Sequence, residues 1–185
     1  MKQKARYKIE FESASIRWSS ALMGLAFFCQ AIFFFAFTDY RQAGGGMLAF
    51  CLVIPMILEV AWVVLLHSVK LNAAGIYGIL GTVFCLLLAI QVSMLFGAGQ
   101  AVIAWLMYLL AAAGMVMITG GFFPYKYIGA ALFALLFVIR FFSLGVIGMV
   151  KQGSWAALAQ ALPEVCLILA LMLFMTGITG VRKQK

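Results

Sequence analysis

Six apolar runs, each close to the length that an α-helix needs to cross a bilayer, constrain this chain more than any other feature. A span takes about 20 residues at a rise of 1.5 Å per residue. Short segments rich in glycine or charge separate the runs, as in TGGFFPYK at 119–126. The runs are Ser19–Thr38, Met47–Leu66, Ala73–Phe96, Ala101–Ile118, Tyr127–Val150 and Trp155–Thr179. They predict an all-α fold, a polytopic transmembrane helical bundle of about six spans.

Composition leads to the same class of protein. Of the 185 residues, 66% are hydrophobic and 10% are charged, whereas a soluble domain carries about a quarter charged residues. A soluble fold of this length could not hide that much apolar surface. We therefore predict three parts: a basic N-terminal segment at 1–18, a six-helix transmembrane domain at 19–180 and a basic tail at 181–185. The alternation of Tyr7, Ile9 and Phe11 with polar residues fits either an interfacial helix or an extended tail.

The basic residues predict the orientation in the membrane. Arg140 lies within the fifth run, and if the N-terminus is cytoplasmic, the outside loops hold Arg41 and Lys151. The cytoplasmic segments then hold the ten other basic residues: Lys2, Lys4, Arg6, Lys8, Arg17, Lys70, Lys126, Arg182, Lys183 and Lys185. Ten against two is a strong bias toward the cytoplasmic side. Both termini are predicted to be cytoplasmic, in a multi-pass protein of a bacterial cell (inner) membrane.

Three ionisable side chains, Glu59, Arg140 and Glu164, lie deep in predicted spans. A charge facing lipid costs about 2.5–3.5 kcal/mol on insertion scales, so each should face the bundle interior. Counted from the outer ends of their helices, the three lie about 18, 15 and 14 Å deep. Helices five and six are antiparallel neighbours, which makes Arg140 and Glu164 the expected ion pair. Glu59, left without a counter-charge, is expected to be neutral.

Polar amides and prolines extend this candidate site. Gln30, Gln91 and Gln160 lie about 8–12 Å from the outer surface. Pro55 precedes Glu59 by one turn and Pro163 adjoins Glu164, and each proline leaves a backbone carbonyl that needs another donor. The sequence predicts a polar intramembrane site, for binding a ligand or for holding helices in register, made of Glu59, Arg140, Glu164, Gln160, Gln91 and Gln30.

Partners and cofactors follow from the remaining residue types. Small residues recur on the third, fourth and fifth helices and predict close helix packing, with a homo- or hetero-oligomer through such faces as a second use. The four cysteines lie in apolar runs without metal-ligand spacing, so neither a metal nor a cofactor is predicted. The net charge of +8 resides at the termini and helix ends, which favours the lipid bilayer over nucleic acid as the partner.

Two classes of function stay open. No HExxH, GxSxG or glycine-rich phosphate loop occurs, so no enzymatic activity is predicted. The first class is transport-related: a small carrier, or the membrane subunit of a transporter, with the polar intramembrane site as its binding site. The second is a structural or assembly subunit of a membrane complex, in which the buried charges lock the helices together.

Overall fold

Helices account for most of the structure, a computed structural model that describes residues 6–37, 44–68, 74–95, 98–119, 125–153 and 156–184. The α-helices are α1 (Ser13–Phe37), α2 (Gly45–Leu48), α3 (Ile54–His67), α4 (Ala74–Leu95), α5 (Ala98–Thr119), α6 (Tyr125–Arg140), α7 (Ile147–Gln152) and α8 (Ala156–Thr176). The prediction of a mainly α-helical fold is confirmed.

Two π-helical segments join pairs of these helices into longer rods. Ala49–Val53 connects α2 to α3, and Phe141–Val146 connects α6 to α7, with helical backbone angles at each junction. The described helices therefore form six rods, one for each predicted apolar run. The predicted run ends at Thr38, Ala73, Phe96 and Trp155 lie outside the described residues.

The rods pack as a closed ring. Going around it, the neighbours are α1, α3, α4, α5, α6 and α8, and α8 packs against α1 again. On the inside of the bundle, the indole of Trp62 from α3 meets the rings of Tyr77 and Phe84 of α4 and Phe174 of α8 edge-on, with centroids 4.8–5.8 Å apart. These large side chains are buried, and they fill the ring with an apolar core.

Small residues set the spacing between α4, α5 and α6. A Cβ added to Gly81 would lie 2.1 Å from the Met115 side chain of α5, and one added to Gly114 would lie 3.4 Å from the Gly129 backbone of α6. The small-residue faces that the sequence offers for an oligomer are thus used for contacts within the chain. An oligomer through such faces stays a prediction.

The two terminal segments pair as an antiparallel ribbon of β1 (Arg6–Phe11) and β2 (Ile178–Gln184). The extended alternative for Tyr7, Ile9 and Phe11 is therefore the observed one. The sixth helix is shorter than predicted, because Ile178 and Thr179 belong to β2 rather than to a span ending at Thr179. Gly177 lies at the transition from α8 to β2. Its N–H donates to the Leu173 carbonyl, and its carbonyl accepts from the Glu12 N–H, both at 2.9 Å.

Within the described ranges, one helical segment is long and apolar enough to cross a membrane by length and composition. It is Ala49–His67, 19 residues, and 28% of its most apolar stretch is buried. Shorter apolar helical stretches are Gly75–Gln91, Trp105–Met117 and Ala161–Thr176. A core helix of a soluble protein can pass the same test, although such a helix is mostly buried.

Candidate functional site

Arg140 and Glu164 form the expected ion pair between the end of α6 and the middle of α8. Arg140 Nε donates to Glu164 Oε1 at 2.7 Å, and Arg140 Nη2 donates to Oε2 at 3.0 Å. The two side chains are 6% and 12% exposed. Two parallel charge-assisted bonds are the strong form of this contact, and they satisfy both carboxylate oxygens.

Tyr108 of α5 is a third member of this cluster that the sequence analysis missed. Its hydroxyl donates to Glu164 Oε1, and its side chain is 1% exposed. A tyrosine in the middle of an apolar run could have drawn attention, because a buried hydroxyl requires a partner. The cluster ties α5, α6 and α8 together, with three hydrogen bonds to the one carboxylate.

Gln30 and Gln91 serve a different purpose, which is to satisfy the backbone near Pro55. Gln30 Nε2 donates to the Cys51 carbonyl, and Gln91 Nε2 donates to the Phe50 carbonyl at 2.9 Å. A residue at position 55 would normally donate to residue 51 in an α-helix and to residue 50 in a π-helix, but proline has no N–H. The two amides replace the missing backbone donor, so they hold α1 and α4 to the π-helical segment.

Glu59 of α3 is the described carboxylate that stands apart from these contacts. It is 1% exposed, and neither of its oxygens has a hydrogen-bond partner among the residues that the structure describes. Its position is fixed by α3, which begins at the π-helical segment and buries Pro55, Glu59, Trp62 and Leu66 on one face. A buried polar group without a partner is rare and usually indicates a function or an unseen ligand.

A cavity of about 190 Å³ lies against Glu59, between α1 and α3. Its accessible walls are apolar, and beside the buried Glu59 side chain they are formed by Met23, Gly24 and Phe27 of α1 and Val60, Val63 and Val64 of α3. Val60 and Val64 are 52% and 58% exposed, so they form the rim through which the cavity opens on the outer surface of the ring. This combination of one polar group with apolar walls is typical of small-molecule sites.

The structure therefore separates the predicted site into parts. Arg140 and Glu164 are together, Gln30 and Gln91 bind carbonyls of the π-helical segment before Pro55, and Glu59 lies beside its own cavity. The structure does not show a single pocket that contains all of them. The amides of Gln30 and Gln91 are hydrogen-bonded to backbone carbonyls of the rod that contains α2 and α3. The side chain of Gln160 lies outside the described residues. No group of three or more histidine, cysteine or acidic side chains suited to a metal ion occurs in the described ranges.

No family model matches this chain, and no curated protein or solved structure matches it significantly.

Proposed function

We propose that this chain is an integral membrane protein of six spans, in a cell (inner) membrane, with both termini cytoplasmic. The support is the surface of the ring. Five of the six rods present large apolar side chains outward, among them Phe28, Ile57, Ile79, Val102 and Val150, which are 62–73% exposed, and α8 presents Leu162 at 37%. Monomeric soluble proteins rarely carry apolar patches of that extent, whereas lipid is a suitable solvent for them.

The contacts near the ribbon support the part of the proposed topology that puts both termini on one side. β1 packs against the start of α4, where the Phe11 and Tyr77 rings are 5.4 Å apart. Lys126, at the start of α6, donates to the Ile178 carbonyl at 2.7 Å. Tyr77 donates to the Leu65 carbonyl at the end of α3 at 2.9 Å. These are the helix ends that the basic residues assign to the cytoplasm, and in the structure they meet at one end of the ring.

We propose further that the protein is transport-related and binds a ligand at Glu59. The single observation that carries this proposal is the buried carboxyl group with two unpartnered oxygens beside an open apolar cavity. Ionisable residues within a span are costly and usually mark a site or a structural pair. Arg140 and Glu164 have the geometry of a structural pair. Glu59 lacks such a pairing, and a bound ligand would supply what its oxygens need.

Thermal melting of the purified protein in detergent tests this function. Panels of cations, anions and neutral amphiphiles would be screened against the wild type, Glu59→Gln and the matched control Glu12→Gln, which makes the same change at an exposed site. A ligand at about a hundred times its Kd adds roughly 2.7 kcal/mol, which corresponds to several degrees in Tm. We expect at least one compound class to raise the Tm of the wild type and of Glu12→Gln but not of Glu59→Gln. If no compound distinguishes Glu59→Gln from the other two, the proposal is wrong.

The second candidate function, a structural or assembly subunit, is favoured by the Arg140–Glu164–Tyr108 cluster. Its hydrogen bonds hold three helices in register and need nothing from outside the chain. Under this alternative the protein would purify with a stable partner subunit, and its Tm would not respond to ligands at Glu59.

A further inference from the structure

We infer that the ligand of Glu59 is a small amphipathic cation, which enters from the lipid between α1 and α3 and takes the place of the carboxyl proton. This inference rests on the proposed function, because it names the class of ligand for the same site. Three features of the site support it: Glu59 has no counter-charge among the described residues, the cavity beside it is small and apolar, and the cavity opens on the outer surface of the ring.

The charge of the ligand follows from the isolation of the carboxyl group. In the part of the chain that the structure describes, no basic side chain contacts Glu59, and both of its oxygens are buried. An uncompensated carboxylate in apolar surroundings is strongly unfavourable, so the empty site holds the neutral acid. A cation would supply the missing counter-charge. An anion would meet no positive group there, and a neutral apolar molecule would have no use for the carboxyl group.

The walls set the size and the apolar part of the ligand. An engineered apolar cavity of about 150 Å³ holds a benzene molecule. The cavity beside Glu59, at about 190 Å³, therefore has room for one ring with a small cationic group. Phe27 provides an aromatic ring and Met23 a thioether in the wall. Both groups favour a cationic or aromatic guest, since aromatic faces attract cations and thioethers pack well against rings.

The mouth of the cavity indicates the route by which the ligand enters. Val60 and Val64 lie at the mouth and are more than half exposed on the lipid-facing side of α3. An amphipathic cation partitions into a bilayer, so it can reach this mouth by lateral diffusion. The exchange balances in charge: one monovalent cation enters, the carboxyl O–H bond breaks, and one proton leaves to water.

Among the described residues, the titratable side chains near Glu59 include the thiol of Cys166 on α8, which also lies near Cys29 of α1. On α4, the Tyr77 hydroxyl donates to the Leu65 carbonyl. Buried cysteine behaves as a small hydrophobic residue. Glu59 is therefore the group whose proton is exchanged, and cation binding is expected to strengthen with pH by up to about tenfold per unit while the acid is neutral.

The test compares two probes of the same shape. Benzyltrimethylammonium carries a fixed positive charge, and neopentylbenzene is its uncharged carbon analogue. Binding of each to the full-length protein in lipid nanodiscs would be measured by equilibrium dialysis at pH 6, 7 and 8, with proton release followed in weak buffer. We expect the cation to bind more tightly as pH rises and to release one proton per molecule bound. We expect neopentylbenzene to show neither pH dependence nor proton release.

Variants separate the carboxyl group from the cavity. Glu59→Gln should weaken cation binding by about tenfold or more, since one tenfold step corresponds to a modest electrostatic contact, and should abolish proton release. Gly24→Leu should fill the cavity, because a Cβ at Gly24 meets nothing within 4 Å. Gly75→Leu, at a position of α4 that is equally open and outside the cavity, is the matched control and should bind normally.

The outcomes distinguish this inference from the proposed function. Glu59-dependent binding of an anion or a neutral amphiphile in the thermal screen, with no binding of benzyltrimethylammonium, would overturn the cation and leave the ligand site standing. Equal binding of the cation to the wild type, Glu59→Gln and Gly24→Leu would also overturn it. A complete lack of Glu59-dependent ligands would remove both proposals.

Discussion

Glu59 and Glu164 have the same side chain and lie at similar depths in the predicted spans, but their surroundings differ. Glu164 receives hydrogen bonds from Arg140 and Tyr108 on two other helices. Glu59 lies beside an apolar cavity, and its buried oxygens accept no hydrogen bond from the described residues. The first carboxylate therefore has its counter-charge within the chain, whereas the second would need one from a ligand.

Substitution of each glutamate by glutamine should separate these two states. Glu59→Gln should change the free energy of unfolding by less than about 1 kcal/mol, because one uncharged group replaces another of the same shape. Glu164→Gln should cost about 3–5 kcal/mol, because it leaves the Arg140 guanidinium buried without its counter-charge. Unfolding in mixed detergent micelles measures both. Equal losses in the two variants would mean that both carboxyl groups act as charges.

Tyr108→Phe tests the third member of the cluster. The substitution removes one hydroxyl that donates to a carboxylate and keeps the ring, so it should cost about 1.5–3 kcal/mol. Tyr127→Phe, at an exposed position of α6, is the matched control and should be close to neutral. The same unfolding measurement applies. A neutral Tyr108→Phe would show that Arg140 alone satisfies Glu164.

The Arg140–Glu164 pair and the lack of a counter-charge at Glu59 could be predicted from the sequence, but the contact of Tyr108 with Glu164 and the cavity beside Glu59 were not predicted. Matching depth on consecutive helices is enough to bring two charges together, because each needs a counter-charge in lipid. The position of Glu59 depends on which face of α3 turns toward α1, and this is decided by how the rods pack. That packing rests on contacts between distant parts of the chain, such as Gly81 with Met115.

At the scale of elements, the π-helical segment Ala49–Val53 and Pro55 depend on two glutamines from other helices. The sequence predicts that Pro55 leaves a carbonyl unsatisfied, and it names Gln30 and Gln91 as polar side chains at a related depth. It does not predict their contact, since three different rods must pack before the amides reach Phe50 and Cys51. The sequence therefore predicts the glutamines in a polar site, whereas in the structure they donate hydrogen bonds to backbone carbonyls.

A double-mutant cycle of Gln30 and Pro55 tests whether the glutamine amide replaces the backbone donor that proline lacks. Gln30→Leu should destabilise the wild type by about 1 kcal/mol or more, because it leaves the Cys51 carbonyl without its donor. In a Pro55→Ala background, the N–H of residue 55 can serve that carbonyl, so Gln30→Leu should cost less. We expect a coupling energy within the range of about 0.5–3 kcal/mol that is found for residues sharing a partner. Additive effects in thermal melting would contradict the exchange of donors.

The β1–β2 ribbon is the element that sequence patterns indicated least. Tyr7, Ile9 and Phe11 alternate as a strand would, but a strand requires a partner, and that partner lies at the other end of the chain. Ile9 is 1% exposed and Phe11 packs on Phe174 at 5.1 Å, so the ribbon also covers one end of the apolar core. The division of the chain into a terminal segment, a bundle and a tail stays a prediction, with its first and last parts now hydrogen-bonded to each other.

At the scale of the whole molecule, the ring order explains why the two termini meet. Six rods that alternate in direction return the chain to the side where it began, and α8 closes the ring against α1. The ribbon then forms where α1 begins and α8 ends, and the Glu12 N–H bonds directly to the Gly177 carbonyl. An even number of rods, basic residues at both termini and a ribbon between them are consistent with the proposed topology.

Accessibility of engineered cysteines tests that topology. In a background in which Cys29, Cys51, Cys85 and Cys166 are replaced by alanine, single cysteines at Gln42 and Gly99 should react with a membrane-impermeant maleimide added to intact cells. A cysteine at Gln184, in β2, should react once the membrane has been permeabilised and not before. The physical reason is the bias of ten basic residues to two, since basic loops are retained on the cytoplasmic side. The reverse pattern would place the ribbon outside and invert the bundle. Labelling of Gln42 and Gln184 from the same side would contradict the odd number of spans, five, that is predicted between the two positions.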